Sequence, residues 1–211
     1  MTEQMNAPVR DGILFVISGP AGSGKGTVVK LLTERHPDIH LSVSATTRNP
    51  RPGEVHGVQY FFITKEEFED RLKKDAILEH TVYCDNYYGT PRDAVEASLA
   101  SGHDMILEIE VDGAMQIKRK VPGTVAIMLV PPDGETLEAR LRGRGTETEE
   151  VILRRMARAR EEIGLMGDYD YVVVNGNGEA EQCADDIYEI IMAEHRRVCR
   201  NGAIREGFFK N

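Results

Sequence analysis

Long hydrophobic runs are missing from this sequence. No apolar stretch exceeds about six residues, whereas a membrane-spanning helix needs roughly twenty. Met1 to Asp11 is polar and has no apolar centre, so a signal peptide is not expected either. Cysteine is scarce. Cys84, Cys183 and Cys199 are odd in number and lack the spacing of metal ligands, which suits a reducing cytosol. They read as buried or half-buried small apolar residues. Positive charge is in deficit as well: the net charge of −9 argues against a general nucleic-acid binder. An anionic substrate would therefore have to be met by locally clustered arginines. None of the six histidines stands in a Ser and Asp arrangement that would serve nucleophilic catalysis. Internal repeats and low-complexity linkers are absent too.

What is present is a chain of 211 residues, 41% of them hydrophobic, enough for one compact domain with a core of its own. Its organising stretch is ILFVISGPAGSGKGT, from Ile13 to Thr27. Ile13 to Ser18 reads as a buried parallel strand. A loop follows with glycines at Gly19, Gly22, Gly24 and Gly26, then a helix carrying Val28, Val29, Leu31 and Leu32. Strand, glycine-rich loop, Lys25 and helix in that order form a phosphate-binding loop for a nucleoside triphosphate. Backbone N–H groups, the helix N-terminus and the Lys25 ammonium all favour phosphate oxygens. The strict pattern has Ser or Thr after the lysine; here Gly26 stands there and the hydroxyl comes one step later, at Thr27.

Further along, apolar strands alternate with amphipathic helices. Strands are expected at His40–Ser44, from Tyr60, at Ile77–Tyr83, Asp104–Glu110, Thr124–Val130 and Tyr171–Asn175. Helices are expected from Thr64 to Lys74 with a Thr64/Glu67 capping box, and from a Thr90 cap with Pro91 at the first position to about Ala100. Others span Asp112–Lys120, Glu135–Arg142, Glu147–Glu162 and Glu179–Arg200, the last burying Cys183, Ala184, Ile187, Ile190, Ile191 and Val198. DNYYGTP reads as turn-rich. The pattern predicts an α/β fold, a P-loop parallel sheet covered by helices on both faces. The stretch from Thr46 to Tyr88, with its short strands and turns, breaks the alternation and reads as an inserted subdomain.

Ligands of open parallel sheets bind outside the carboxyl ends of the strands. There the phosphate loop is expected beside Asn175 and beside Glu108 and Glu110, two apart on one strand and so on one face. Such carboxylates can orient Mg²⁺ through water or anchor an arginine. Arginines cluster in the second half: Arg140, Arg142 and Arg144, then Arg154, Arg155, Arg158 and Arg160. Planar guanidinium groups stabilise the equatorial charge of a phosphoryl group in flight. Arg142, Arg154, Arg158 and Arg160 read as a solvated helix face. Gly143 and Gly145 around Arg144 suggest a mobile lid.

Four blocks, GPAGSGKGT, SVSATTRNPRPGEVHGVQYFF, NYYGT and RLRGRGTETEE, carry a resemblance. The chain resembles bacterial guanylate kinases, which move the γ-phosphate of ATP to GMP, and it does so from about Ile13 to Asn175. The resemblance implies a fold with an inserted GMP-binding subdomain at about 44–90, a mobile lid at about 140–156, and a core at about 1–43, 91–139 and 157–211. ATP would lie on Gly19, Pro20, Ala21, Gly22, Ser23, Gly24, Lys25, Gly26 and Thr27, with Asn175 near the adenine. Ser44 and Glu79 would read the guanine edge, where a carboxylate accepts from both N1–H and the exocyclic amine. Arg48, Arg51 and Tyr60 would hold the GMP phosphate with help from Tyr88, while Thr90, Glu108 and Glu110 would complete the GMP site. Lys25, Arg140, Arg144 and Arg155 would be catalytic. Mg²⁺ would accompany ATP, with Thr27 its candidate protein oxygen, direct or through water. The partners implied are ATP and GMP, without nucleic acid or membrane, in the cytoplasm. Two other readings share these features: a kinase of AMP or CMP, because GKGT is also the adenylate kinase form of the loop, and a catalytically inactive, peptide-binding module. Glu79 and the second block argue against the first, the intact site residues against the other.

Overall fold

The structure, a computed structural model, describes residues 12–143, 145 and 148–207. Its elements in chain order are β1 (Leu14–Ser18), α1 (Lys25–Arg35), β2 (Ile39–Leu41), β3 (Ala45–Thr46), β4 (Phe61–Phe62), α2 (Lys65–Lys73), β5 (Ile77–Tyr83), β6 (Asn86–Pro91), α3 (Arg92–Ala100) and β7 (Asp104–Glu108). There follow α4 (Val111–Lys120), β8 (Val125–Val130), α5 (Gly134–Gly143), α6 (Glu149–Gly164), β9 (Tyr171–Val174), α7 (Ala180–Glu194) and the short α8 (Gly202–Gly207). Two compact units divide the chain: Met1–Ser18 with Pro37–Ala126, and Gly19–His36 with Ile127–Asn211.

In the first unit β7 lies between β1 and β2 and pairs in parallel with both, Ile17 opposite Glu108 and Leu41 opposite Ile106. Every residue of β1 is buried, as its unbroken apolar run requires of a parallel strand covered on both faces. Helix α3 packs on β7, and α4 on β1 and β5. A second sheet, ordered β4-β3-β6-β5, has its own small core of Ala45, Phe68 and Ile77, with Phe61, Ile63, Leu72 and Tyr87 against it. The Phe68 ring stacks on Tyr87 with centroids 5.0 Å apart. Helix α2 is tied to this sheet by Phe68 and begins at a Thr64 cap, whose hydroxyl accepts from the Glu67 N–H. The Glu67 carboxylate turns to Arg71.

In the second unit β8 and β9 pair in parallel, Ile127 opposite Tyr171 through Val130 opposite Val174. Helix α1 packs on α7, and α7 on β9. Helices α5 and α6 meet through Leu137, Leu141, Ile152 and Ala159. At the end of α7 the Glu194 carboxylate, fully buried, accepts from the Tyr171 hydroxyl at 2.7 Å and from Arg200 at 3.1 Å.

Several expected elements differ. NYYGTP is a strand rather than a turn: Cys84 and Asp85, both at positive φ, make a two-residue hairpin and Asn86 to Pro91 zips against β5. Left-handed dihedrals at both central positions match the strand twist, which is why the chain can turn there without glycine. Thr90 and Pro91 therefore end β6, and α3 begins at Arg92. His40–Ser44 is no single strand; β2 stops at Leu41, and β3 belongs to the other sheet. Strand β7 ends at Glu108, and Glu110 is the residue capping α4, so the two carboxylates do not share a strand face. Helix α7 stops at Glu194, leaving Val198 87% exposed instead of buried. Cys84 and Cys199 are exposed, and Cys183 alone is buried.

Candidate active site

In the second unit the chain after Gly19 wraps into a loop closed by the Ser23 N–H on the Pro20 carbonyl at 3.1 Å. Gly24 caps α1 at φ 94°, a left-handed conformation that L side chains avoid, and a Cβ there would run into the Asn175 amide. Glycine at this position answers both demands. No acidic side chain occupies the first turn of α1, so its unpaired N–H groups keep their partial positive charge for an anion. Lys25, the first helical residue, folds its ammonium back onto the Gly19 carbonyl at 2.5 Å. That hydrogen bond holds the charge over the loop mouth, where a phosphate oxygen can take the carbonyl's place.

Asn175, just past β9, joins this loop to the chain leading into α7. Its N–H donates to the Val130 carbonyl at 2.7 Å, and its Nδ2 to the Ser23 carbonyl at 2.8 Å. Its Oδ1 is buried with no hydrogen-bond partner among the described residues, as is the Ser23 hydroxyl. A buried acceptor of that kind is suited to a ligand donor. A cavity of about 240 Å³ opens beside it, lined by Gly22, Gly24, Thr27, Arg140, Asn175 and Asn177 among others. Arg140, on α5, spans its wall and donates to the Asn175 carbonyl at 2.8 Å and to Asn177 Oδ1 at 3.0 Å. Thr27 faces the same cavity, and Gly26 leaves the preceding position without a side chain.

Of the remaining arginines, Arg155 is half-buried on α6. Arg142 forks between Glu138 and Glu149; these bonds, Glu149 first, raise its guanidinium above the ordinary range. It is therefore a strut between α5 and α6. Arg158 pairs with Glu162 at 3.0 Å. Arg144 lies outside the described residues.

The first unit carries the second constellation, on and around its four-stranded sheet. Past β3, the Arg48 guanidinium makes a two-pronged pair with Glu54, both bonds 2.9 Å. It lies 5.5 Å from the Tyr60 ring centroid and 5.6 Å from that of Phe62. Tyr88 adds, after Glu54, to the electrostatic field that raises the same guanidinium, and it meets Tyr60 edge-on at 5.9 Å. Hydrogen bonding to Arg48, then to the Arg51 N–H, holds the Glu54 carboxyl below its usual range. Burial pushes the Tyr60 phenol up, so it stays a neutral donor. The Arg51 side chain is exposed, while its N–H donates to Glu54 at 2.7 Å. A planar cation beside aromatic rings, with a second arginine on the same loop, has the chemistry that suits a phosphate group.

Glu79 stands on β5, 4% exposed. The Thr90 hydroxyl donates to its Oε1 at 2.8 Å. Burial pushes its carboxyl above the usual range, and the Thr90 hydrogen bonds oppose that only in part. A carboxylate so poorly solvated binds a ligand with two parallel N–H donors strongly. Ser44 gives its carbonyl to the Phe61 N–H at 2.9 Å. Glu108 ends β7 and acts electrostatically on Tyr60; Glu110 is exposed at the start of α4. Glu54 and Phe62 were not anticipated, although Glu54 follows Arg48 within one irregular loop, a signal that was there to be read.

A glycine-rich loop with its lysine at a helix start, on an α/β scaffold, defines a P-loop nucleotide-binding protein. The family profile described as guanylate kinase matches residues 12–194. A guanylate kinase of Oceanobacillus iheyensis is 51% identical over 184 residues, covering 87% of this chain and 88% of that protein. One of Desulfitobacterium hafniense is 46% identical over 93% of this chain and 97% of its own length. The crystal structure of guanylate kinase from Anaplasma phagocytophilum superposes with a TM-score of 0.72 at 32% identity, covering 94% and 96% of the two chains. The chain belongs to the guanylate kinase family.

Proposed function

We propose that the protein transfers the γ-phosphoryl group of ATP to GMP, giving ADP and GDP, with the donor on the phosphate loop and the acceptor on the four-stranded sheet. The observation that carries this reading is Glu79, a buried carboxylate on the same small sheet as the Arg48, Tyr60 and Tyr88 cluster. Guanine offers N1–H and an exocyclic amine side by side; adenine has no such donor pair. Ser44 and Thr90 belong to the base-reading group, and Arg48, Arg51, Tyr60 and Tyr88 to the acceptor phosphate. Glu108 and Glu110 serve the acceptor side.

On the donor side, residues Gly19 to Thr27 (Gly19, Pro20, Ala21, Gly22, Ser23, Gly24, Lys25, Gly26 and Thr27) wrap the ATP phosphates. Asn175 Oδ1, buried and unpartnered among the described residues, accepts from the adenine amine. The reaction breaks the bond from γ-phosphorus to the bridging oxygen and makes one to a GMP phosphate oxygen. That oxygen is already anionic, so no general base is needed; positioning and charge do the work. Lys25 leaves the Gly19 carbonyl for the moving phosphoryl group, and Arg140, Arg144 and Arg155 meet its equatorial charge. Kinase Mg²⁺ takes most of its ligands from phosphates and water, so the single hard oxygen of Thr27, facing the loop cavity, fits such an ion directly or through water. When bound with ATP it neutralises phosphate charge.

In the same reading residues 44–90 act as the GMP-binding subdomain, 140–156 as the lid and the rest as core, in the cytoplasm and without nucleic acid. Among the described residues no helix is long and apolar enough to cross a membrane. Initial rates with ATP against GMP, AMP, CMP and UMP test the proposal. GMP should be turned over with a large margin. Preference for AMP or CMP, or no turnover of any nucleotide, rejects it.

A further inference from the structure

Strand β5, which carries Glu79, is the outermost strand of its sheet. Its inner ladder is broken as well: register with β6 shifts between Ile77 and His80, the interval that contains Glu79. A strand with an unpaired outer edge and an irregular inner one is a loose mount for a specificity group. Helix α4 supplies what is missing. The Gln116 side-chain amide accepts from the His80 N–H at 3.2 Å and donates to the His80 carbonyl at 3.1 Å. This is the two-bond pattern a neighbouring strand would offer. One turn on, the Lys120 ammonium reaches the Ile77 carbonyl at 3.4 Å. The residues on either side of the irregular interval are thus held by one helix.

The same helix meets the carboxylate itself. Gly113 is buried inside α4, where helix propensity favours alanine over glycine. It has no positive φ that would demand glycine. A Cβ there would stand 2.7 Å from Glu79 Oε2 and 3.3 Å from its carboxyl carbon. Glu79 is thus packed from one side by Thr90 at Oε1 and from the other by a bare helix backbone at Oε2.

We propose that α4 is the positioning element for guanine recognition: Gly113 leaves the space in which the Glu79 carboxylate lies, and Gln116 fixes the strand that bears it. This rests on the reading that Glu79 reads guanine. Neither residue touches the base; both act through Glu79.

The test compares GMP with inosine monophosphate, which lacks the exocyclic amine, in Gly113→Ala, Gln116→Leu, Gln116→Glu and, as control, Glu79→Gln. In Gly113→Ala, kcat/KM for GMP should fall at least about tenfold, the scale of one charge-assisted hydrogen bond. Most of the loss should appear in KM. The preference for GMP over the inosine nucleotide should shrink, while KM for ATP stays within about twofold and the melting temperature holds or rises. Gln116→Leu should move the preference the same way by less. Gln116→Glu, which can still accept from the His80 N–H, should lie between Gln116→Leu and the parent. In the Glu79→Gln background, Gly113→Ala should change the preference no further. If Glu79→Gln abolishes the preference and neither Gly113→Ala nor Gln116→Leu alters it, the role of α4 is refuted and the reading of Glu79 stands. If Glu79→Gln leaves the preference intact, both fall.

Discussion

Replacing Thr90 by valine keeps the shape of a fully buried residue and deletes one hydroxyl, the donor to Glu79 Oε1 at 2.8 Å. A hydrogen bond to a charged group contributes about 1.5–3 kcal/mol. The Glu79 carboxyl already lies above its usual range because it is buried, and Thr90 pulls it down; the substitution pushes it further up. Guanine needs Glu79 ionised, and kcat/KM reports the ionisation of the free enzyme. At alkaline pH, where Glu79 is ionised both free and in the complex, the lost hydrogen bond raises both states and nearly cancels. Below the limb the free enzyme holds Glu79 neutral, and the full loss appears as about a 10- to 150-fold fall in kcat/KM for GMP. The acid limb should therefore move to higher pH with its plateau nearly unchanged. Stability should show the opposite pH dependence. A carboxyl raised in the folded state adds stability at low pH and loses it as pH rises through its folded value, so Thr90→Val should destabilise most at alkaline pH. Rate profiles and urea titrations between pH 5 and 9 read both. A uniform loss across that range would refute the reasoning.

Glu194 tests the other unit. Burial raises its carboxyl, but hydrogen bonds from Tyr171, Arg200 and Arg197 outweigh burial and hold it below the usual range. Its contribution is thus present at neutral pH and lost as pH falls through that lowered value. Glu194→Gln should cost about 1.5–3 kcal/mol at pH 7, with little of it from the largely exposed Arg197, and progressively less on acidification in urea titrations. Arg144→Ala should lower kcat more than it raises KM for GMP, the mark of a contact made in the transition state; steady-state kinetics showing the reverse would assign Arg144 to ground-state binding.

The phosphate loop was legible because its chemistry is local: strand, glycines, lysine and helix follow one another, and the structure puts Lys25 at the helix start. Most helices were legible within a residue or two from their apolar period. What escaped the sequence is pairing at a distance. Thr90 looks like a helix cap until β5 and β6 bring its hydroxyl to Glu79. Gln116 has no motif, and its work depends on a strand edge thirty-six residues away. Ile109 continues the apolar alternation and so points to a strand through Glu110, yet the chain has already entered the cap of α4 there. Val198 continues a helical period that ends at Glu194, where the buried carboxylate draws Arg197 and Arg200 back to itself.

The central claim is that donor and acceptor nucleotides are held by different residues of this chain, and equilibrium titration tests it most directly. GMP alone and a non-hydrolysable ATP analogue with Mg²⁺ are each titrated calorimetrically into the parent protein, Arg48→Ala and Asn175→Ala. Arg48→Ala should weaken GMP at least about tenfold and leave the ATP analogue within about twofold. Asn175→Ala should do the opposite. Loss of ATP-analogue binding in Arg48→Ala, or of GMP binding in Asn175→Ala, would contradict the assignment.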